Sequence, residues 1–168
     1  QGVTGIEIYN ATCEGVVCKG YAVTHWDELL ESGMRLYGLA VDDCHFNSWP
    51  DFALGWIVVC VDDRTPTAIT EAIRTGKFYS SCGPAIEEWS LSGNKITFRC
   101  SEVKAIACNG LTSSGRVVRA PPGETLTGCT FDLSERWESN LPWLRFSCCD
   151  PDGRWAWTNA FWLSDLNQ

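Results

Sequence analysis

The chain has 168 residues, enough for one ordinary domain or two small ones with a real hydrophobic core. Acidic residues outnumber basic ones by 21 to 13, a formal charge of −8, which argues against a nucleic-acid backbone or an anionic membrane surface as the main partner. An apolar fraction of 45% is that of a globular protein, and the longest apolar run, residues 56–61, is far too short to span a bilayer.

Taken in order, residues 4–10 (TGIEIYN) alternate and are β-branched, so they read as a strand that ends at Asn10 and is interrupted by Glu7. Residues 11–25 contain two glycines and no clear period, which predicts a loop. Thr24 is then the expected N-cap of a short helix over 25–32, with Gly33 as a left-handed C-cap. Next comes the stretch LYGLAVDDCHF (36–46): an unbroken apolar run that stops at Asp42, Asp43, Cys44 and His45. A short apolar run bounded by polar residues is the pattern of a strand buried on both faces. Such strands carry ligands and catalytic groups just past their carboxyl ends.

Residues 46–55 read as a loop and 56–61 as a second buried strand. Thr65-Pro66 opens a helix with proline in its first turn, Ala68, Ile69, Ala72 and Ile73 form its apolar face, and Gly76 closes it. Residues 77–81 (KFYSS) make a short strand that runs into the Cys82-Gly83-Pro84 turn. Strand, helix, strand, helix, strand is the rhythm of β/α units.

After Pro84 the pattern changes. Segments near 86–91, 95–100, 103–108, 116–120, 127–133, 144–149 and 155–158 are short, partly alternating and separated by turn residues such as Asn109-Gly110 and Asp150-Pro151-Asp152-Gly153. Strands at this spacing predict an Ig-like β-sandwich over 86–168. The expected fold is therefore α+β, a partial β/α barrel over 1–85 followed by an antiparallel β-sandwich. A complete β/α barrel takes about 250 residues, so the first part is expected to be the back end of something larger.

Asp43 and His45 are the sharpest chemical signal. On an extended chain they share one side, and a carboxylate beside a neutral imidazole can hold a divalent metal. The bland alternative is a strand end followed by a solvated loop. Glu7 and Asn10 end the first strand on the same expected side, where they could orient water or substrate or simply cap the strand. Lys77, also assigned to a strand end, could meet a phosphate as a point charge or lie solvated on the surface. His25 matches no ligand motif, and Arg74 reads as surface. A Cys82–His45 nucleophilic pair is disfavoured because no histidine is near Cys82 in sequence.

Several stretches, in order, resemble the PHP (polymerase and histidinol phosphatase) family of metal-dependent phosphoesterases, particularly members with a C-terminal β-sandwich. They are GIEIYN (5–10), KGYAVTHWDELLESGMRLYGLAVDDCH (19–45), GWIVV (55–59), TEAIRTGKFYSSCGPAI (70–86) and RFSCCDPDGRWAWTNAF (145–161). The resemblance implies a distorted β/α barrel with metals at the strand carboxyl ends. It places the family's last metal motif on Asp43 and His45, and it implies a cofactor of divalent ions (Zn, Mn, Fe or Mg) that activate water and stabilise phosphoryl charge. The family's earlier motifs are rich in histidine, whereas this sequence has two, His25 and His45. The expectation is the C-terminal portion of a PHP-type phosphoesterase, inactive alone, with no complete catalytic set. Its expected partners are a small phosphoester substrate if completed, and either an N-terminal half or another copy held through exposed barrel edges.

Nine tryptophans, five of them at 137, 143, 155, 157 and 162, support an alternative from another class: a non-catalytic module whose Trp-rich sandwich binds carbohydrate or protein. Packing is the favoured reading of these aromatics. Ten cysteines include no C-x-x-C pair. Cys60, Cys100, Cys108 and Cys148 lie in apolar runs as small hydrophobes, so reduced thiols in a cytoplasmic protein are expected, with secretion and a few disulfides left open.

Overall fold

The computed structural model describes residues 2–46, 51–111, 114–133 and 141–167. These contain twelve strands and three α-helices. They divide into two compact units, Gln1–Cys82 and Gly83–Gln168.

In the first unit, strands β1 (Gly5–Asn10) and β2 (Tyr37–Val41) pair in parallel, with Gly5 opposite Tyr37 and Asn10 opposite Val41. Their connection carries two helices, α1 (Ala11–Val17) and α2 (Val23–Glu31). Trp26 and Leu30, one turn apart on α2, are buried with Ile8 and Ala40. The Trp26 indole donates to the Leu36 carbonyl at 2.9 Å, so the ring that fills this core also satisfies the backbone entering β2. A Cβ on Gly38 would lie 2.9 Å from both Ile8 and Trp26, so glycine lets helix and strand close.

Strands β3 (Trp56–Val59) and β4 (Phe78–Ser81) pair antiparallel, and α3 (Pro66–Arg74) lies between them in the chain. As expected, Thr65 caps α3 by accepting from the Ala68 amide, and Pro66 sits in its first turn. Ser80 ties β4 to β2: its hydroxyl donates to the Gly38 carbonyl and accepts from the Ala40 amide. Phe78 meets Tyr37 edge-on at 5.9 Å. The two contacts run β4 alongside β2 from its amino end toward its carboxyl end.

The second unit is built from antiparallel strands. β5 (Ile86–Ser92), β6 (Lys95–Val103) and β9 (Leu126–Asp132) form one sheet in the order β5-β6-β9. In the other, β10 (Trp143–Cys149) lies between β7 (Ala105–Asn109) and β11 (Trp155–Thr158), with β8 (Gly115–Arg119) beyond β7 and β12 (Phe161–Trp162) pairing with β10. Aromatic rings join the two sheets. Phe146 of β10 lies 5.2 Å from Phe98 of β6 and 5.9 Å from Phe131 of β9, and Trp89 of β5 stacks on Phe161 at 4.7 Å. The strand-rich second half and its sandwich packing agree with the sequence pattern. Trp143 and Trp157 are buried, which makes them core rather than a platform; Trp137 lies outside the described residues.

The α+β class with a partial β/α barrel is not what forms. A barrel repeats parallel strands joined by single crossover helices, whereas the parallel pair β1 and β2 has two helices between its strands. α3 joins antiparallel neighbours, so it is no crossover. The chain is predominantly β. The residue 56–61 run misled because β3 is not buried on both faces: Trp56 and Val58 are each 37% exposed. Residues 11–25 also differ, since α1 and the start of α2 replace the loop. Val23, not His25, opens α2, and its N-cap, Ala22, makes no side-chain bond.

Candidate functional site

The carboxyl ends of β1 and β2 bring Glu7, Asn10, Asp43 and His45 into one neighbourhood. Glu7 and Asn10 are three apart, a spacing that puts side chains on opposite faces of a regular strand. β1 is not regular: its register slips between Glu7 and Tyr9, an extra residue that rephases the strand. The Asn10 amide can therefore donate to Glu7 Oε2 at 3.1 Å and to Asp43 Oδ2 at 3.2 Å. The other end of the same side chain accepts from the Cys13 amide at 2.9 Å and caps α1.

Asp43 is not extended. It lies past the end of β2 at φ 52°, a left-handed conformation that aspartate tolerates better than most residues. The turn still delivers His45 to it, for His45 Nδ1 is 2.6 Å from the Asp43 carbonyl, an acceptor, so the ring donates from Nδ1, an arrangement that in a neutral imidazole makes Nε2 the acceptor. Metal-ligating histidines commonly have their second nitrogen engaged in this way. The Thr12 hydroxyl donates to the same carbonyl at 2.9 Å.

Two further aspartates build the loop. Asp42 accepts from the amides of Ala53, Leu54 and Gly55 at 2.7 to 2.8 Å and folds the returning chain onto β2. Gly55 is required there, because a Cβ would fall 2.6 Å from the Val41 carbonyl. Asp51, itself buried, accepts from the His45 amide at 2.6 Å and from the Cys44 thiol at 3.2 Å. The His45 amide is the main cause holding its carboxyl below the usual carboxylate value. The bonding of Asp42, Asp51 and Thr12 was not visible in the sequence. The adjacent Asp42-Asp43 pair was visible, but nothing in it tells the loop-closing carboxylate from the open one.

Lys77 is not brought to this cluster. It precedes β4 beside the amino end of β2 and lines a separate depression with Asp62, Asp63 and Glu71. His25 is solvated, 3.4 Å from Glu28 on the same helix, and Arg74 makes a bidentate pair with Glu71. Cys82 Sγ lies 4.0 Å from the Tyr21 hydroxyl. The Tyr21 phenol is raised above its ordinary value by burial first and by Cys82 second.

The donors present are hard carboxylate oxygens and one imidazole with its tautomer set, a chemistry that suits a divalent cation. Among the described residues, no group of three or more His, Cys, Asp or Glu residues is placed to hold a metal by itself. No family model, curated protein or solved structure matches the chain.

Proposed function

We propose that the chain carries part of the metal centre of a PHP-type, metal-dependent phosphoesterase, in which Asp43 and His45 contribute ligands and Glu7 and Asn10 support them. The observation that carries this reading is the joining of the Glu7 and Asp43 carboxylates by Asn10, with the His45 ring on the Asp43 carbonyl, where the two parallel strands end. Asp43 and His45 Nε2 would hold the cation. When bound, it supplies Lewis-acid stabilisation of charge growing on a phosphoryl oxygen. Asn10 keeps the Glu7 and Asp43 carboxylates side by side, against their mutual repulsion. With its Oε2 engaged by Asn10, Glu7 would orient water or substrate through its other carboxylate oxygen. These donors are too few for a multinuclear centre, so the chain alone binds metal without efficient turnover.

Calorimetric titration with Mn²⁺ tests the reading. The expected result is one saturable site of roughly millimolar affinity, the range of sparse oxygen-rich sites, lost in D43N and weakened in H45A. Identical titrations of the wild-type protein and D43N would sink it.

A further inference from the structure

We propose that Cys100 and Cys148 are a dithiol pair built to close a disulfide between the two sheets of the second unit. Their placement follows from side-chain alternation. Phe98 and Cys100 project from the same face of β6, and Phe146 and Cys148 from the same face of β10. β6 runs through Lys104 into β7, whose Ala105 pairs with Cys149 of β10, so β6 and β10 run toward the same end; with the two phenyl rings 5.2 Å apart, the next residues on those faces, the two cysteines, face each other as well. Both are essentially fully buried. Their thiols hydrogen-bond to each other, which holds the Cys100 thiol below its ordinary value and pushes Cys148 well above it. Cys149 points to the opposite face by the same alternation. Cys129, half-buried on β9 beside Phe98, is pushed up to about 12 by burial and by Cys100.

All ten cysteines are thiols in this structure. The oxidant assigned is a small-molecule disulfide of the glutathione kind. The Cys100 thiolate attacks one of its sulfurs, breaking the S–S bond; a mixed disulfide forms and one thiolate leaves, taking up the proton that Cys100 lost. The Cys148 thiolate then attacks the Cys100 sulfur and expels the second small thiol, which takes up the Cys148 proton. Two protein thiols become one disulfide while one small disulfide becomes two thiols, so electrons and protons balance. Because both sulfurs are buried, exchange proceeds while the chain folds or when the sandwich opens.

The bond would join strands of facing sheets and enclose the β7, β8 and β9 segments in one loop. Constraint of the unfolded chain then raises the melting temperature by on the order of 10 °C.

The test is to refold the full chain in excess oxidised glutathione, block remaining thiols with an alkylating agent, digest it and map the cross-linked peptides by mass spectrometry. Thermal melts of the oxidised and reduced forms accompany the mapping. The expected result is a dominant linkage between the Cys100 and Cys148 peptides, retained in C149A, abolished in C148A, and a higher melting temperature for oxidised protein. Alkylation of both cysteines after equilibration, linkage to Cys129 or Cys149 instead, or no rise in melting temperature would overturn the proposal. Mapping the wild-type chain and C149A decides the matter even where C148A fails to fold.

Discussion

Asn10 shows how much can rest on one side chain. Its carbonyl oxygen caps α1 and its amide bridges two carboxylates. Replacing it with alanine removes a cap, at a cost of about 1 kcal/mol, and leaves Glu7 and Asp43 facing each other without a donor. N10D keeps the capping oxygen but adds a third negative charge. The metal-free protein is then expected to melt a few degrees lower, while Mn²⁺ binds on the order of tenfold tighter as the charge count of the ligand set rises. Melts with and without Mn²⁺ read both effects, and an N10D protein with unchanged Mn²⁺ affinity would argue against a cation-binding cluster.

Asp51 makes a separate, pH-resolved prediction. Its carboxyl titrates below the value of 3.8 expected in an unfolded chain, chiefly because it accepts from the His45 amide. A lowered folded pKa gives stability that is fully present above the unfolded value and is lost as pH falls through the folded one. The stability gap between wild type and D51N should therefore be constant near neutrality and shrink as pH drops below about 4. Urea unfolding at a series of pH values measures it; a gap that widens in acid would mean the carboxylate is not the stabilising form.

At the scale of elements, the strands of the second half were legible because alternation and turn residues are local signals. β11 spans the residues the pattern marks, and the Thr65-Pro66 start of α3 is equally explicit. α1 was not legible: ATCEGVV mixes glycine with β-branched residues that favour helix weakly, and Asn10, its one good signal, reads equally well as a strand end. The bulge in β1 was beyond reach too, since only pairing with β2 reveals the extra residue. The D-x-H pair was singled out by an argument from extended backbone that the left-handed Asp43 does not follow. Where β1, β2 and α2 meet, Gly38 sets the spacing. G38A should cost about 1–3 kcal/mol by overpacking against Ile8 and Trp26, read as a lower urea midpoint with an unchanged slope. An unaffected midpoint would mean that helix and strand have room to part.

For the whole molecule, the barrel expectation failed because apolar runs do not encode pairing direction. Trp56–Val59 looks like a parallel core strand, yet it returns antiparallel to Phe78–Ser81 with one face partly open. The change of pattern near Pro84 was visible in the sequence, as was the run of polar residues that follows β2. No described helix is long and apolar enough to cross a membrane. A metal bound to the folded state would stabilise it by mass action. At a concentration ten times a millimolar dissociation constant the gain is about 1.4 kcal/mol, small enough that binding is better located than inferred from melts. The direct measurement is an anomalous-difference map from a crystal of the full chain soaked in Mn²⁺. The expected result is a peak in contact with the Asp43 carboxylate and the His45 ring, near Glu7. A well-ordered map with no peak there, and with the Asn10 amide still joining Glu7 to Asp43, would contradict it.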